Sequence, residues 1–188
     1  MGKYRKYVAV VIKIFEIFQW VAALMLFVLI GAVGMFRVQL NGNVLGLNQN
    51  GGQISAHGSS VMLLEPDGMV NMKVFVAVLI IAMVSCILTA MIYHNIYLIV
   101  QTTRRVEYPQ KEVTPFIDVN VKRVRNIGVY CMLIPIVECI VSVAARMVFK
   151  IEGIELGINI AGIVAGMIVL CLADVFTYGV ELQKGKGL

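Results

Sequence analysis

The fold class follows from residues 74–100, which form the stretch VFVAVLIIAMVSCILTAMIYHNIYLIV without a single Asp, Glu, Lys or Arg. The hydrocarbon core of a bilayer is about 30 Å thick, and a helix crosses it in about 20 residues. These 27 residues exceed that requirement. Because lipid offers no partner to backbone N–H and C=O groups, the stretch is predicted to be a helix, whose hydrogen bonds are internal.

Three further apolar blocks flank this stretch, at residues 20–36, 127–149 and 156–176. They explain why 60% of the 188 residues are hydrophobic and only 14% are charged. This composition excludes a soluble enzyme, a disordered chain and a secreted disulfide-rich domain. We predict an all-α membrane protein, with residues 1–188 as a single integral membrane domain. It is a four-transmembrane-helix bundle, with helices at about 8–36, 74–100, 115–149 and 156–177.

The first block also resembles a signal peptide, because Lys3, Arg5 and Lys6 form a basic region before it. Its length, and the charges of Lys13 and Glu16 at its base, favour an uncleaved membrane anchor instead.

The basic residues are concentrated on one side of the predicted membrane. Of the 16 Lys and Arg residues, twelve lie near the chain ends or in residues 101–126, three lie on the opposite side, and Arg146 lies inside the third block. Positive loops face the cytoplasm. We therefore predict cytoplasmic termini (N-in/C-in), a cytoplasmic loop at 101–114 and an outer loop at 37–73. No motif for nucleic-acid binding accompanies the basic residues, so no direct binding to nucleic acid is expected.

The outer loop is rich in Gly and Asn and carries several short apolar segments. Residues 38–45, with Asn41-Gly42 at their centre, are typical of a short hairpin, and residues 53–55 and 61–64 fit two further strands. We therefore expect a small extracellular loop with short β-strands between helices 1 and 2. A flexible connector explains the same composition equally well.

Two further patterns concern helices 3 and 4. Thr114-Pro115-Phe116 is typical of a helix start, with Thr at the N-cap and Pro at the first helical position, so helix 3 is predicted to begin at residue 115. Small residues recur every four positions in helix 4, where they permit close helix packing in lipid: a stripe of Gly153, Gly157, Ala161 and Ala165, and a second pair, Gly162 and Gly166. Packing within the bundle is favoured over a homo-oligomer face, which the same pattern also fits.

Candidate ligand or proton sites are Glu138, Arg146 and His94, because ionisable groups within a membrane are often functional. Arg146 follows Glu138 by eight positions, about 12 Å along a helix, which is too far for direct pairing. A structural alternative for Glu138 is a hydrogen bond to a neighbouring helix, with three candidate partners: Ser85, Thr89 and Tyr93. For His94, the alternative is an interfacial hydrogen bond.

Nothing in the sequence predicts catalysis. The four cysteines, at 86, 131, 139 and 171, lie inside apolar blocks and form no Cys-x-x-Cys pair. No nucleotide-binding loop, zinc-protease motif or nucleophile elbow occurs. We therefore expect no enzymatic activity, no catalytic residues, no metal and no cofactor.

Two segments resemble bacterial four-pass membrane proteins of domain of unknown function family 2975. They are TPFIDVNVKRVRNIG at residues 114–128 and LADVFTYGVELQ at residues 172–183. The resemblance implies a protein of the bacterial cytoplasmic (inner) membrane without established enzyme activity. Genes of that family often neighbour a small helix-turn-helix regulator, which implies a cytoplasmic partner. The residues that fit its docking are all predicted to be cytoplasmic: Arg104, Arg105, Thr114, Pro115, Phe116, Asn120, Lys122, Arg123 and Arg125, of which Thr114, Pro115, Phe116, Asn120 and Arg123 are the leading candidates. Family members commonly continue into an acidic tail, whereas this chain ends in KGKGL.

The leading hypothesis is a sensory or regulatory membrane protein that couples a membrane or extracellular signal to that cytoplasmic partner. The alternative is a small transporter, or an immunity factor against a membrane-active toxin, with Glu138 as its polar centre.

Overall fold

A computed structural model describes residues 2–36, 53–56, 59–64, 69–104, 116–149, 154–155 and 159–185. Within these ranges the chain forms four long helices: α1 (Gly2–Phe36), α2 (Met72–Arg104), α3 (Asp118–Phe149) and α4 (Ile160–Gly185). It also forms three short strands: β1 (Gln53–Ala56), β2 (Ser59–Met62) and β3 (Ile154–Glu155).

All four helices are long and apolar enough to cross a membrane. α1 shows the character of their surfaces: Phe18, Leu24 and Met25 are 66%, 63% and 68% exposed. Soluble monomers rarely expose large continuous apolar patches. The helices therefore fit an integral membrane protein, and the prediction of four helices long and apolar enough to span a membrane is confirmed for the described residues.

The chain divides into two compact units, and the division falls within three of its continuous helices. The first comprises Met1–Trp20, Ile87–Leu133 and Ala161–Leu188, and the second comprises Val21–Cys86 and Ile134–Ile160. Three of the helices, α1, α2 and α3, contribute a substantial segment to each unit.

In the second unit, the strands form one antiparallel sheet in the order β1-β2-β3. Gln53 is paired with Met62 across β1 and β2, and Ser60 with Glu155 across β2 and β3. β1 and β2 overlap the two segments in which the sequence suggests strands. β3 was not predicted, because two residues are too few to show an alternating pattern. The predicted hairpin at 38–45 lies outside the described residues.

Also in the second unit, Asn71 fixes the start of α2. Its Oδ1 atom accepts hydrogen bonds from the backbone N–H groups of Lys73 (3.2 Å) and Val74 (3.3 Å), as an N-cap residue does. The Asn71 N–H donates to the carbonyl of Leu63 over 2.7 Å. Leu63 is fully buried and Val74 is 1% exposed, so the cap and a small apolar core together hold this helix end.

The observed helix bounds correct the predicted ones. α1 and α2 extend beyond 8–36 and 74–100. α3 begins at Asp118 rather than at residue 115, and the Ile117 carbonyl accepts hydrogen bonds from Asn120 N (2.9 Å) and Val121 N (3.2 Å). Residues 114 and 115 lie outside the described ranges.

α4 begins at Ile160 rather than at 156, because the preceding Ile154–Glu155 segment pairs with β2 as a strand. It continues to Gly185, well past the predicted end at 177. Val180, in this additional part, is 5% exposed and therefore buried.

Helices α3 and α4 approach each other closely in the first unit at Gly128 and Gly166. A Cβ atom on Gly128 would lie 3.1 Å from the Gly166 carbonyl oxygen, and one on Gly166 would lie 2.9 Å from the Gly128 carbonyl oxygen and overlap the side chain of Met132. The absence of a Cβ atom at both positions therefore permits this packing.

This contact uses Gly166, which belongs to the second predicted pair of small residues, and not the four-residue stripe. Ala161 and Ala165 are exposed, whereas Gly166 is buried. The other two members, Gly153 and Gly157, lie outside the described residues.

We expect Gly166→Ala to destabilise the protein by about 1–3 kcal/mol, the usual range for overpacking. The added methyl group would displace Met132 and press against the Gly128 carbonyl. Thermal unfolding in detergent micelles measures the effect. Gly34→Ala is the matched control, because a Cβ atom there meets nothing within 4 Å. Equal melting temperatures for the two variants would contradict the proposed close contact.

Candidate functional site

A buried carboxylate on α1 is the centre of the most polar cluster in the described part of the first unit. Glu16 is only 4% exposed. Its Oε1 atom lies 3.0 Å from Lys13 Nζ, one helical turn earlier, and 3.0 Å from His94 Nδ1 on α2. The Glu16 Oε2 atom is also buried and has no hydrogen-bond partner among the described residues. The carboxylate thus receives both of its contacts on one oxygen.

Aromatic side chains adjoin this cluster. Phe15 stacks on Tyr93, with ring centroids 5.7 Å apart and an interplanar angle of 22°. Lys13 Nζ lies 5.0 Å from the centroid of the Tyr97 ring, within the range of a cation–π interaction. These contacts and the contact between Glu16 and His94 all join α1 to the last turns of α2.

The electrostatics of the cluster depend on His94. Burial of an unpaired carboxylate is costly, and Lys13 supplies one compensating positive charge from the same helix. His94 supplies a second when its imidazole is protonated. The Lys13 and His94 side chains are 41% and 43% exposed, so the buried acid is flanked by two accessible cations or cation precursors.

The sequence predicts that His94 is a candidate site residue, but it does not predict that Glu16 is the partner of His94. Glu16 was treated only as a charge at the base of the first block. A signal was nevertheless present, because Lys13 and Glu16 are three residues apart and lie on one helix face. To predict that this face contacts His94, one must know how α1 is rotated about its axis relative to α2. A single sequence does not give that rotation.

A second polar cluster in the first unit joins α2 to α3. The Nη1 atom of Arg123 donates to the Leu98 carbonyl over 3.0 Å, to Asn120 Oδ1 over 3.1 Å, and to the Thr102 hydroxyl. Thr102 itself donates to the Leu98 carbonyl over 2.7 Å. The positive charge of Arg123 near the C-terminus of α2 also interacts favourably with the negative end of the helix dipole. Arg123 therefore holds the end of α2 against the start of α3.

Two of the predicted docking residues belong to this cluster. Asn120 is fully buried and Arg123 is half-buried. Their side chains support the structure from inside, and the neighbouring Lys122 and Arg125 are exposed. The positions of Thr114 and Pro115 lie outside the described residues.

Phe116, a third predicted docking residue, packs within the chain. Its ring lies 5.3 Å from that of Phe176 on α4, centroid to centroid, at an interplanar angle of 55°. This is a favourable geometry for an aromatic pair. A Cβ atom on Gly179 would lie 2.6 Å from the Phe116 ring, so the ring occupies the space that Gly179 leaves open.

Exposed ion pairs lie nearby. Lys184 Nζ lies 3.0 Å from both carboxylate oxygens of Asp118, and Arg125 lies 3.8 Å from Asp174. All four side chains are more than half exposed, so these pairs contribute little to stability. They remain accessible to other molecules.

In the second unit, Glu138 has one of the three partners named from the sequence. The Ser85 hydroxyl donates to Glu138 Oε1 over 3.2 Å. Arg146 is exposed in the last turn of α3, where its charge favours the helix terminus, and no ion pair joins it to Glu138 in the described structure. Of the three candidate ligand or proton residues, His94 belongs to the first unit, and Glu138 and Arg146 belong to the second.

The described residues contain no group of three or more His, Cys, Asp or Glu side chains that could hold a metal ion. Cys86, Cys131, Cys139 and Cys171 are free thiols. No protein-family model, curated protein or solved structure matches this chain. The resemblance to family 2975 consequently stays a prediction from the two motifs.

We expect Gly179→Ala to destabilise the wild-type protein and to be neutral or stabilising in a Phe116→Ala background. In the wild type the new methyl group meets the phenyl ring, whereas removal of the ring leaves room for it. Alanine is also the better helix former, by about 1 kcal/mol. A double-mutant cycle from thermal unfolding in detergent measures the coupling.

Gly185→Ala is the control for the same substitution on α4, because nothing lies within 4 Å of its Cβ position. Additive effects of the Phe116 and Gly179 changes would show that the ring does not pack there.

Proposed function

We propose that this protein is a sensory or regulatory, non-enzymatic protein of the bacterial cytoplasmic membrane, which couples a membrane or extracellular signal to a cytoplasmic protein partner. The proposal places both termini and the loop between helices α2 and α3 on the cytoplasmic side. The excess of Lys and Arg at the chain ends and in residues 101–126 supports this orientation.

The observation that carries the proposal is that, within the first unit, side-chain contacts hold the end of α2, the start of α3 and α4 together. Arg123 joins the end of α2 to the start of α3, and Phe116 joins the start of α3 to α4. We call the exposed charged residues around these ties the charged platform: Asp118, Lys122, Arg125, Asp174, Glu181 and Lys184. A surface held by such ties loses little conformational entropy when a partner binds.

The structure changes which residues we assign to docking. Asn120, Phe116 and Arg123 support the platform through their internal contacts. Lys122 and Arg125 are exposed and lie on the same short segment of α3. We therefore propose that these two exposed side chains contact the partner, because accessible charges at an interface determine association and specificity.

The resemblance to family 2975 supports a small helix-turn-helix regulator as the partner. Binding at the platform would hold such a regulator at the membrane, and a change within the helices would release it. Lipid surrounds the four helices, and the exposed Ala161 and Ala165 leave a homo-oligomer compatible with this arrangement.

The alternative, a transporter or an immunity factor centred on Glu138, has weaker support. The Glu138 carboxylate accepts a hydrogen bond from Ser85, as a structural tie between two helices would require.

We expect a photo-crosslinking residue at position 122 to capture a soluble cytoplasmic protein in the native host, and Arg125→Glu to reduce that adduct about tenfold. A tenfold loss corresponds to about 1.4 kcal/mol of binding free energy, which is reasonable for reversal of one interfacial charge. Mass spectrometry of the adduct identifies the partner and measures its yield.

Arg146→Glu is the matched control, because Arg146 is an exposed arginine of the same helix but belongs to the second unit. The adduct is expected to be unchanged in that variant. Equal losses in the two variants, or no protein adduct at position 122, would contradict docking at the platform.

A further inference from the structure

We infer that Glu16 and His94 form a proton-binding site that links α1 to α2 and responds to acidification. This inference goes beyond the proposed function. Its test needs no cytoplasmic partner. The experiment can therefore contradict proton binding without contradicting docking at the charged platform, and the crosslinking experiment can contradict docking without contradicting proton binding.

The Glu16 carboxylate is buried and only partly hydrogen-bonded. Glu16 is 4% exposed and its Oε2 atom has no hydrogen-bond partner within the described structure, although buried polar atoms are usually paired. Both nearby donors, Lys13 and His94, contact the other oxygen at 3.0 Å. The carboxylate is therefore incompletely satisfied, and additional positive charge beside it would be favourable.

The His94 imidazole contacts this carboxylate through one of its two ring nitrogens. An ionised Glu16 can only accept hydrogen bonds, so the contact at 3.0 Å requires a proton on His94 Nδ1. In neutral His94, Nε2 is then the basic nitrogen. A proton from water adds there and produces an imidazolium ion, so the hydrogen bond to the Glu16 carboxylate becomes an ion pair with both partners charged.

Other titratable side chains adjoin Glu16 and His94. The other titratable side chains with contacts at the site are Lys13, Tyr93 and Tyr97. Histidine is the side-chain type that ordinarily changes charge between about pH 5 and 8, whereas lysine and tyrosine ordinarily do not. We therefore assign the change of charge to His94, whose protonation strengthens the contact between α1 and α2.

The chain contains a natural reporter for this change. Trp20 is the only tryptophan, and it lies four residues after Glu16 on α1, within the same unit. The only other histidine is His57, so one substitution removes its contribution. All measurements would therefore use full-length protein with His57→Gln in lipid nanodiscs, with gel filtration to confirm that each variant is folded.

The experiment follows the emission spectrum of Trp20 from pH 8 to pH 5. We expect one reversible transition in the His57→Gln protein, and its loss in both His94→Gln and Glu16→Gln. His94→Lys carries a permanent charge, so its spectrum at pH 8 should resemble that of the His57→Gln protein at pH 5. This variant keeps the test decisive if Glu16→Gln does not fold.

The same transition in His94→Gln would show that another group titrates, and would overturn the inference. The absence of any transition in the His57→Gln protein would overturn it as well.

Discussion

Lipid offers no hydrogen-bond partner to a polar group, and the rest of this structure depends on that constraint. It makes each apolar block a helix, because only a helix satisfies its own backbone. It also applies to side chains: Glu16, Arg123 and Glu138 all have partners on a neighbouring helix. These three polar groups thus each form a tie between two helices, and such ties contribute to how the helices are arranged.

Within the first unit these ties have different consequences. Arg123 contacts a backbone carbonyl, a hydroxyl and a side-chain amide, and its guanidinium stays charged at any physiological pH. The contact between α2 and α3 is therefore permanent. The contact between α1 and α2 involves the imidazole of His94, and histidine is the side-chain type that ordinarily changes charge near neutrality. A protein that converts a signal into a change of helix packing needs both a fixed part and an adjustable part, and this unit contains candidates for each.

The predictable part of the fold is the part that composition determines. Residues 74–100 are long and uncharged, so they predict a membrane helix without reference to any other segment, and α2 covers all of them. The start of α3 was predicted three residues too early, because the Thr-Pro-Phe pattern describes local capping only. Phe116 packs on Phe176 and over Gly179 instead of entering the helix, and that contact joins residues about 60 positions apart.

The candidate site was less predictable for the same reason. Ser85 was one of three partners named for Glu138, because the choice was limited to polar residues of one neighbouring helix. Glu16 and His94 were not paired, because their contact depends on how α1 is rotated against α2. Asn120 and Arg123 were assigned to a docking surface from their polarity, whereas their positions in the structure make them internal supports.

Hydrogen–deuterium exchange in lipid nanodiscs tests the central claim, that polar ties hold the helix ends of the first unit together. The comparison is between the wild type, Arg123→Gln and the exposed control Arg125→Gln. We expect Arg123→Gln alone to accelerate exchange of the backbone amides in the last turns of α2, around residues 98–104. Identical exchange in all three proteins would contradict the claim.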